Sequence, residues 1–132
     1  MNFVSVRVIA SDVKQLVEFY EQVTGLSARW GNEEFAELVT PAGTLAIASA
    51  RTIEMFGAAA ARPADNHTVI IEFRVDDVDG EYSRLKNVAL EFVQEPTTMP
   101  WGNRSILFRD PDGNLVNLFT PVSPEALQRL DR

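Results

Sequence analysis

The chain carries two copies of one short pattern, and this repeat constrains the fold more than any other feature. Residues 40–45 (TPAGTL) match residues 110–115 (DPDGNL), which lie 70 positions later. Residues 11–13 (SDV) match residues 76–78 (DDV), which lie 65 positions later. Two matches in the same order and at nearly the same spacing indicate an internal duplication of one supersecondary unit.

Each half of the chain begins with a strand that leads into a capped helix. Residues 3–10 alternate apolar and polar side chains, and Asp12 is placed to cap a helix after them. Residues 67–75 and Asp77 repeat this arrangement. Three further strands are predicted in each half, the last two joined by a turn that contains Pro and Gly. We therefore predict an α+β fold of two βαβββ modules that form a curved mixed sheet around a cleft.

A single domain is expected from 132 residues. The two predicted modules cover about 1–50 and 67–121. Between them, residues 51–66 break the periodic pattern and are rich in Ala, as is typical of a linker. A C-terminal helix is predicted at 123–131, with Pro124 in its first turn.

Composition excludes several classes of function. The net charge of −7 argues against nucleic acid as a partner, because such binding depends on Lys and Arg. The chain has no Cys, so a disulfide, a thiolate nucleophile and a Cys-ligated metal are impossible. No apolar run reaches the roughly 18 residues of a membrane span, and the N-terminus lacks the pattern of a secretory signal. We expect a cytoplasmic protein that has no membrane partner.

Three motifs resemble the vicinal oxygen chelate superfamily, which includes glyoxalases, extradiol dioxygenases, fosfomycin resistance enzymes and bleomycin resistance proteins. The motifs are residues 11–13 (SDV), 18–20 (EFY) and 108–114 (FRDPDGN). Together with the paired modules, the resemblance covers almost the whole chain. It implies the fold predicted above but no single activity, because one fold hosts many functions.

The resemblance also implies where a metal ion would be held. In metal-dependent members of the superfamily, each module supplies one ligand, typically His or Glu, from its first strand and one from its last. Counting from the motifs places these positions at Ser5, Ile47, Ile70 and Asn117. Because none of them is a His or a carboxylate, we expect no metal ion and no other cofactor. His67 lies three residues before Ile70, on the opposite face of an ideal strand, and is expected to be exposed or to act as a cap.

The bleomycin resistance branch, whose members bind a ligand without metal or chemistry, is the most similar in pattern. Residues 100–102 (PWG) ahead of 107–111 (LFRDP), and residues 35–36 (FA), resemble segments that line its ligand groove. By this resemblance, Phe35 and Trp101 would sandwich a flat cationic group. The alternatives are a core position for Phe35 and, for Trp101, a hydrophobic plug over the end of the sheet.

Polar and charged side chains are predicted on the concave face beside these aromatic rings. The further candidate ligand contacts there are Arg7, Glu72, Asn117 and Phe119. The 65-residue offset makes Arg7 and Glu72 equivalent positions in the two modules. We expect them to form an ion pair on the cleft floor, where other members of the superfamily hold their metal. Two separately solvated charges are the alternative.

Two functions stay open from the sequence. One is a metal-free protein that binds a small molecule, such as an antibiotic or another cationic aromatic compound, and sequesters it. The alternative is a glyoxalase-like lyase, isomerase or dioxygenase with displaced metal ligands. The four positions without His or Glu favour the first function, so we predict no catalytic residues. The resemblance further implies a homodimer with the cleft at or near the subunit interface.

Overall fold

The computed structural model describes residues 1–57, 60–88 and 91–131, and the chain divides into two compact units. Unit 1 consists of Met1–Asn66 with Pro111–Gly113, and unit 2 consists of His67–Asp110 with Asn114–Arg132. The tip of the last hairpin therefore belongs to unit 1, where Asp112 Oδ2 accepts a hydrogen bond of 2.9 Å from the backbone N–H of Ser11.

Unit 1 contains a four-stranded mixed sheet and two helices. Its elements are β1 (Ser5–Ala10), α1 (Val13–Thr24), β2 (Arg29–Asn32), β3 (Phe35–Val39), β4 (Thr44–Ser49) and α2 (Ala50–Glu54). The strands lie in the order β1-β4-β3-β2. The β1–β4 pair is parallel and the other two pairs are antiparallel.

The long helix α1 forms where its cap and its apolar stripe predict it. Asp12 Oδ1 accepts the N–H of Gln15 at 3.1 Å, and the helix ends at Gly25, whose φ of 73° is left-handed. The residues on its buried stripe are Val13, Leu16, Val17, Tyr20 and Val23. This stripe packs on β3 and β4 and forms the main core of the unit.

A smaller apolar cluster lies on the other face of the same sheet. Ile53 of α2 packs there against Ile9 and Ala48, and Phe35 lies against the cluster. The small side chain of Ala48 lets α2 approach the strand closely. The region expected to be a linker therefore begins with a helix that covers part of the sheet.

Unit 2 repeats this arrangement. Its elements are β5 (Ile70–Arg74), α3 (Val78–Leu85), β6 (Glu91–Thr98), β7 (Asn103–Arg109), β8 (Leu115–Pro121) and α4 (Pro124–Leu130). The order is β5-β8-β7-β6, again with the first and last strands parallel. Asp77 caps α3 and Ser123 caps α4, each through its side-chain oxygen. Because both units share one topology, the prediction of two βαβββ modules in an α+β fold is confirmed.

Strand β6 extends further than the sequence predicts. The sequence alone predicts a strand at 90–94 and a loop at 95–102 that delivers Trp101. In the structure, β6 runs to Thr98 and residues 99–102 form the whole turn. Pro96 has no N–H to donate, and it is tolerated because β6 is an edge strand with two register shifts. Residue 90 lies outside the described residues.

Gly102 provides a test of how α4 is attached to unit 2. Its φ is 93°, its carbonyl accepts from the N–H groups of Val122 and Ser123, and an added Cβ would overlap Ser123 and come within 3.0 Å of Ala126 Cβ. Gly102→Ala is expected to destabilise the fold by about 2–5 kcal/mol, from left-handed strain and overpacking together. Chemical denaturation measures the loss.

Gly113→Ala is the matched control for this change. Gly113 has a φ of 83°, but an added Cβ would meet nothing within 4 Å. It should therefore cost only the left-handed strain of about 1–2 kcal/mol. Equal losses in the two variants would contradict the close packing of α4 on residue 102.

Candidate functional site

In each unit, one face of the sheet is covered by the long helix and the other carries the polar candidates. We call the latter the second face, opposite α1 in unit 1 and opposite α3 in unit 2. In unit 1 it includes Ser5, Arg7, Ile9, Phe35, Glu37, Val39, Thr44, Ala46 and Ala48. In unit 2 it includes Ile70, Glu72, Arg74, Ser105, Leu107, Arg109, Leu115, Asn117 and Phe119. All six predicted ligand contacts except Trp101, which is in a turn, lie on a second face.

The strand register corrects one of the four inferred metal positions. Arg7 pairs with Ala46 in unit 1, and Glu72 pairs with Asn117 in unit 2. The counterpart of Asn117 is therefore Ala46. Ile47 was the wrong choice, because it is 1% exposed and lies on the helix-covered face beside Ala36. A shift of one residue along a strand moves a side chain to the opposite face.

The reason for this shift lies in the two hairpin turns. In the first, the N–H of Thr40 donates to Gly43 O, three residues on. In the second, the N–H of Asp110 donates to Asn114 O, four residues on. The second turn is one residue longer, so the offset between the last strands is 71, whereas the sequence match of the turns is 70.

The corrected positions do not fit the metal site of the superfamily. Ser5 offers a hydroxyl and Asn117 an amide, while Ala46 and Ile70 have only hydrocarbon side chains. Catalytic divalent ions in such proteins take imidazole and carboxylate ligands. Across the described part of the chain, no group of three or more His, Asp or Glu could hold a metal ion. His67 is exposed and precedes β5, which begins at Ile70.

Arg7 lies on the second face of unit 1, beside an aromatic ring that the sequence did not single out. Its guanidinium carbon is 5.4 Å from the centroid of the Phe56 ring, a cation–π distance. Phe56 is 70% exposed, and its neighbour Met55 is 86% exposed. In the sequence, the only signal for this contact is the pair of large apolar residues Met55 and Phe56, which lies within the stretch predicted to be a linker.

Phe35 lies on the second face of unit 1, as its strand alternation predicts. Its ring is half-buried against the cluster of Ile9, Ala48 and Ile53. It therefore combines a core contact on one side with partial exposure on the other. A contact between Phe35 and a ligand stays a prediction.

Glu72 and Asn117 form a hydrogen-bonded pair on the second face of unit 2. The distance between Asn117 Nδ2 and Glu72 Oε2 is 2.8 Å. Phe119 lies two residues along β8, half-buried and paired with Arg74, whose Nη1 is 2.6 Å from Asp131 Oδ1. Glu72 and Arg7 thus each have a contact within their own unit, and the expected ion pair between them stays a prediction.

Trp101 lies in the tight turn between β6 and β7. The turn is closed by hydrogen bonds of 2.9 Å from Gly102 N to Met99 O and 2.8 Å from Met99 N to Asn103 O. Trp101 is 56% exposed, and a contact between its indole and a ligand stays a prediction. An exposed aromatic ring on a closed turn is suited to stacking on a ligand.

The groups with shifted pKa values lie on or beside α3, on the face of unit 2 opposite the second face. Hydrogen bonds from Arg104 Nε and Nη2 at 2.8 and 3.0 Å lower the pKa of Asp79, in the first turn of that helix. Partial burial, and then the neighbouring Glu95 carboxylate, raise the pKa of Tyr82. The Tyr82 ring packs edge-on against Phe92 at 5.0 Å. These groups hold helix and sheet together.

No helix among the described residues is long and apolar enough to cross a membrane.

Comparison with known proteins places the chain in one family. The model of the "Glyoxalase/Bleomycin resistance protein/Dioxygenase superfamily" matches residues 2–118. "Uncharacterized protein YraH" of Bacillus subtilis is 26% identical over 125 residues, which cover 90% of this chain and 98% of that protein. A solved glyoxalase/bleomycin resistance protein/dioxygenase from Nocardioides is 25% identical, with a TM-score of 0.75 over 94% of this chain and 85% of its own.

A solved family enzyme from Burkholderia phytofirmans PsJN has a TM-score of 0.80 at 17% identity, over 92% of this chain and 100% of its own. Its likeness shows the fold alone. The two topologically identical units, the FRDPDGN hairpin and the match over residues 2–118 agree with one another. The chain therefore belongs to the glyoxalase/bleomycin resistance protein/dioxygenase superfamily.

Proposed function

We propose that this protein binds a flat, cationic aromatic compound without a metal ion and sequesters it without chemistry. The observation that carries this proposal is the set of side chains at the four inferred metal positions, with Ala46 in place of Ile47. Ser5, Ala46, Ile70 and Asn117 provide neither an imidazole nor a carboxylate. A drug or antibiotic is one class of ligand that fits this proposal.

The proposed ligand contacts combine aromatic and polar groups. Trp101 and Phe35 supply rings that attract a flat cation through stacking and through the negative faces of their π-systems. The polar contacts are Arg7, Glu72 and Asn117, with Phe119 as a further ring. The partial exposure of Phe35 and the large exposure of Trp101 support these roles.

The proposal includes a homodimer in the cytoplasm. Support comes from β1, which is an edge strand of its sheet. The exposed apolar side chains in and just before this strand are Phe3, Val4 and Val6. Apolar groups on an unpaired edge favour association with another chain.

Trp101 is expected to report ligand binding through its fluorescence. Titration of bleomycin or another flat aromatic cation should quench the emission, because the ligand stacks on the indole. Trp101→Phe should remove most of that quenching while it keeps an aromatic ring for binding. Trp30 is the only other Trp in the sequence, so Trp30→Phe is the matched control and should keep the quenching. An unchanged response in Trp101→Phe would defeat the assignment.

Metal analysis tests the proposed absence of metal chemistry. Protein purified without added metal should contain far less than one equivalent of nickel, zinc, iron or manganese, because its donor groups bind such ions weakly. Adding each ion should produce neither glyoxalase nor ring-cleavage activity. One tightly bound equivalent, or activity restored by any of the four ions, would favour the enzymatic alternative instead.

The homodimer is tested by mass in solution. Light scattering behind size-exclusion chromatography should give about twice the 14.7 kDa of one chain. Val6→Lys should shift the mass towards the monomer, because a charge on an edge strand opposes pairing. Lys in place of Val93, an exposed residue of the edge strand β6, is the matched control and should leave the dimer intact. A monomer in the wild type would refute the dimer.

A further inference from the structure

The Asn117 side chain contains an acceptor that lacks a donor. Its Nδ2 donates to Glu72 Oε2, and this bond fixes the orientation of the amide, because an ionised carboxylate can only accept. Oδ1 therefore points away from Glu72. It is shielded from solvent and has no hydrogen-bond partner among the described residues. A shielded acceptor without a donor lowers stability, so its presence needs another explanation.

Two other side-chain atoms in the described ranges share this property, Ser49 Oγ and Asn103 Oδ1. Ser49 is the last residue of β4, and Asn103 is the first residue of β7. Asn117 instead lies near the middle of β8, at one of the four corrected positions, and its amide is bonded to a carboxylate. This combination distinguishes it from the other two.

We propose that Glu72 and Asn117 recognise a primary ammonium or amidinium group, so that the ligand must carry N–H donors as well as positive charge. This inference rests on the proposed function and specifies its ligand more narrowly. A ligand N–H binds Oε1 of the Glu72 carboxylate, while Asn117 Nδ2 keeps its bond to Oε2. Once the side chains that cover it move aside, Asn117 Oδ1 accepts a second N–H of the same group.

The surroundings of the pair favour this arrangement. Glu72 is exposed, so a solvated cation reaches its carboxylate directly. The neighbours of Asn117 along β8 and across to β7 are Leu115, Phe119 and Leu107, none of which can donate from its side chain. They present carbon surface to the aromatic part of a ligand. Arg74, the next second-face residue on β5, is already paired with Asp131, which reduces its repulsion of a cation.

A pair of probes separates donor recognition from charge. 2-Naphthylmethylammonium and its N,N,N-trimethyl analogue carry the same ring and the same charge, but only the first has N–H donors. We expect the primary ammonium to bind at least about tenfold more tightly, the effect of one charge-assisted hydrogen bond. NMR titration measures both dissociation constants. It also follows the Asn117 side-chain NH₂ signals, which should shift with the primary ammonium alone.

Three variants test whether Glu72 and Asn117 cause the preference for the primary ammonium. Asn117→Leu removes the orphan acceptor, and Glu72→Gln removes the charge at an exposed site where folding is not at risk. Each should lower the ratio of the two dissociation constants several-fold, because each removes or weakens one of the two proposed acceptors. Glu18→Gln makes the same change of charge on the exposed side of α1 and should leave the ratio unchanged.

Stability gives an independent readout. Because Oδ1 lacks a donor in the free protein, Asn117→Leu should keep or raise the thermal midpoint while it lowers the selectivity. Ser49→Ala is the control, since Ser49 makes no side-chain capping bond. It removes another shielded, unpaired atom, so it should also keep or raise the midpoint but leave the selectivity of the wild type intact. If Asn117→Leu lowers the midpoint further than Glu72→Gln, which weakens the same Nδ2 bond, Oδ1 already has a partner and the inference is overturned.

The outcomes separate a failure of the N–H donor requirement from a failure of the proposed function. If both probes bind equally well to the wild type, the donor requirement is wrong while the proposed cation site stands. A ratio that survives in both Asn117→Leu and Glu72→Gln would also refute it. If neither probe binds, the proposed function itself fails, and the inference fails with it.

Discussion

The parallel pairing between the first and last strands of each unit is the constraint on which the candidate site depends. It decides which side chains of β1 and β4, and of β5 and β8, stand beside one another on the second face. Long helices cover the opposite faces, so a slip of one residue would bury polar groups and expose the core. The packing of α1 and α3 therefore holds the register, and the register places Arg7 beside Ala46 and Glu72 beside Asn117.

The two units use one topology to present different chemistry. At equivalent positions, unit 1 has a cation beside a methyl group and unit 2 has an anion beside an amide. Each charge has a contact in its own unit, Arg7 with the Phe56 ring and Glu72 with the Asn117 amide. The shared topology fixes where the side chains stand, but the chemistry at equivalent positions differs between the two units. This is why membership of the superfamily does not by itself settle what the protein binds.

The parts of the fold that depend on local chemistry could be predicted from the sequence. The caps at Asp12 and Asp77 are predictable because each capping bond spans only three residues. The turns that contain Pro and Gly likewise indicate the two hairpins. The position of Ile47 could not be judged correctly, because the turns differ in length by one residue and only strand pairing reveals it. The second part of β6 was not predicted because it contains Pro96, and Pro is tolerated in a strand mainly at the edge of a sheet. Phe56 was missed because its contact with Arg7 joins residues far apart in sequence.

The Asn117 amide lies at one of the four positions where the resemblance to metal-dependent members of the superfamily implies a metal ligand. A neutral side chain there does not attract a divalent ion, and it costs less to shield from water than a lone carboxylate does. Its NH₂ group is held by Glu72, so the carbonyl oxygen has a defined direction before any ligand arrives. A hydrophobic residue of similar size would pack there without an unpaired atom. The proposed bound state pairs that acceptor, which a hydrophobic residue at this position could not do.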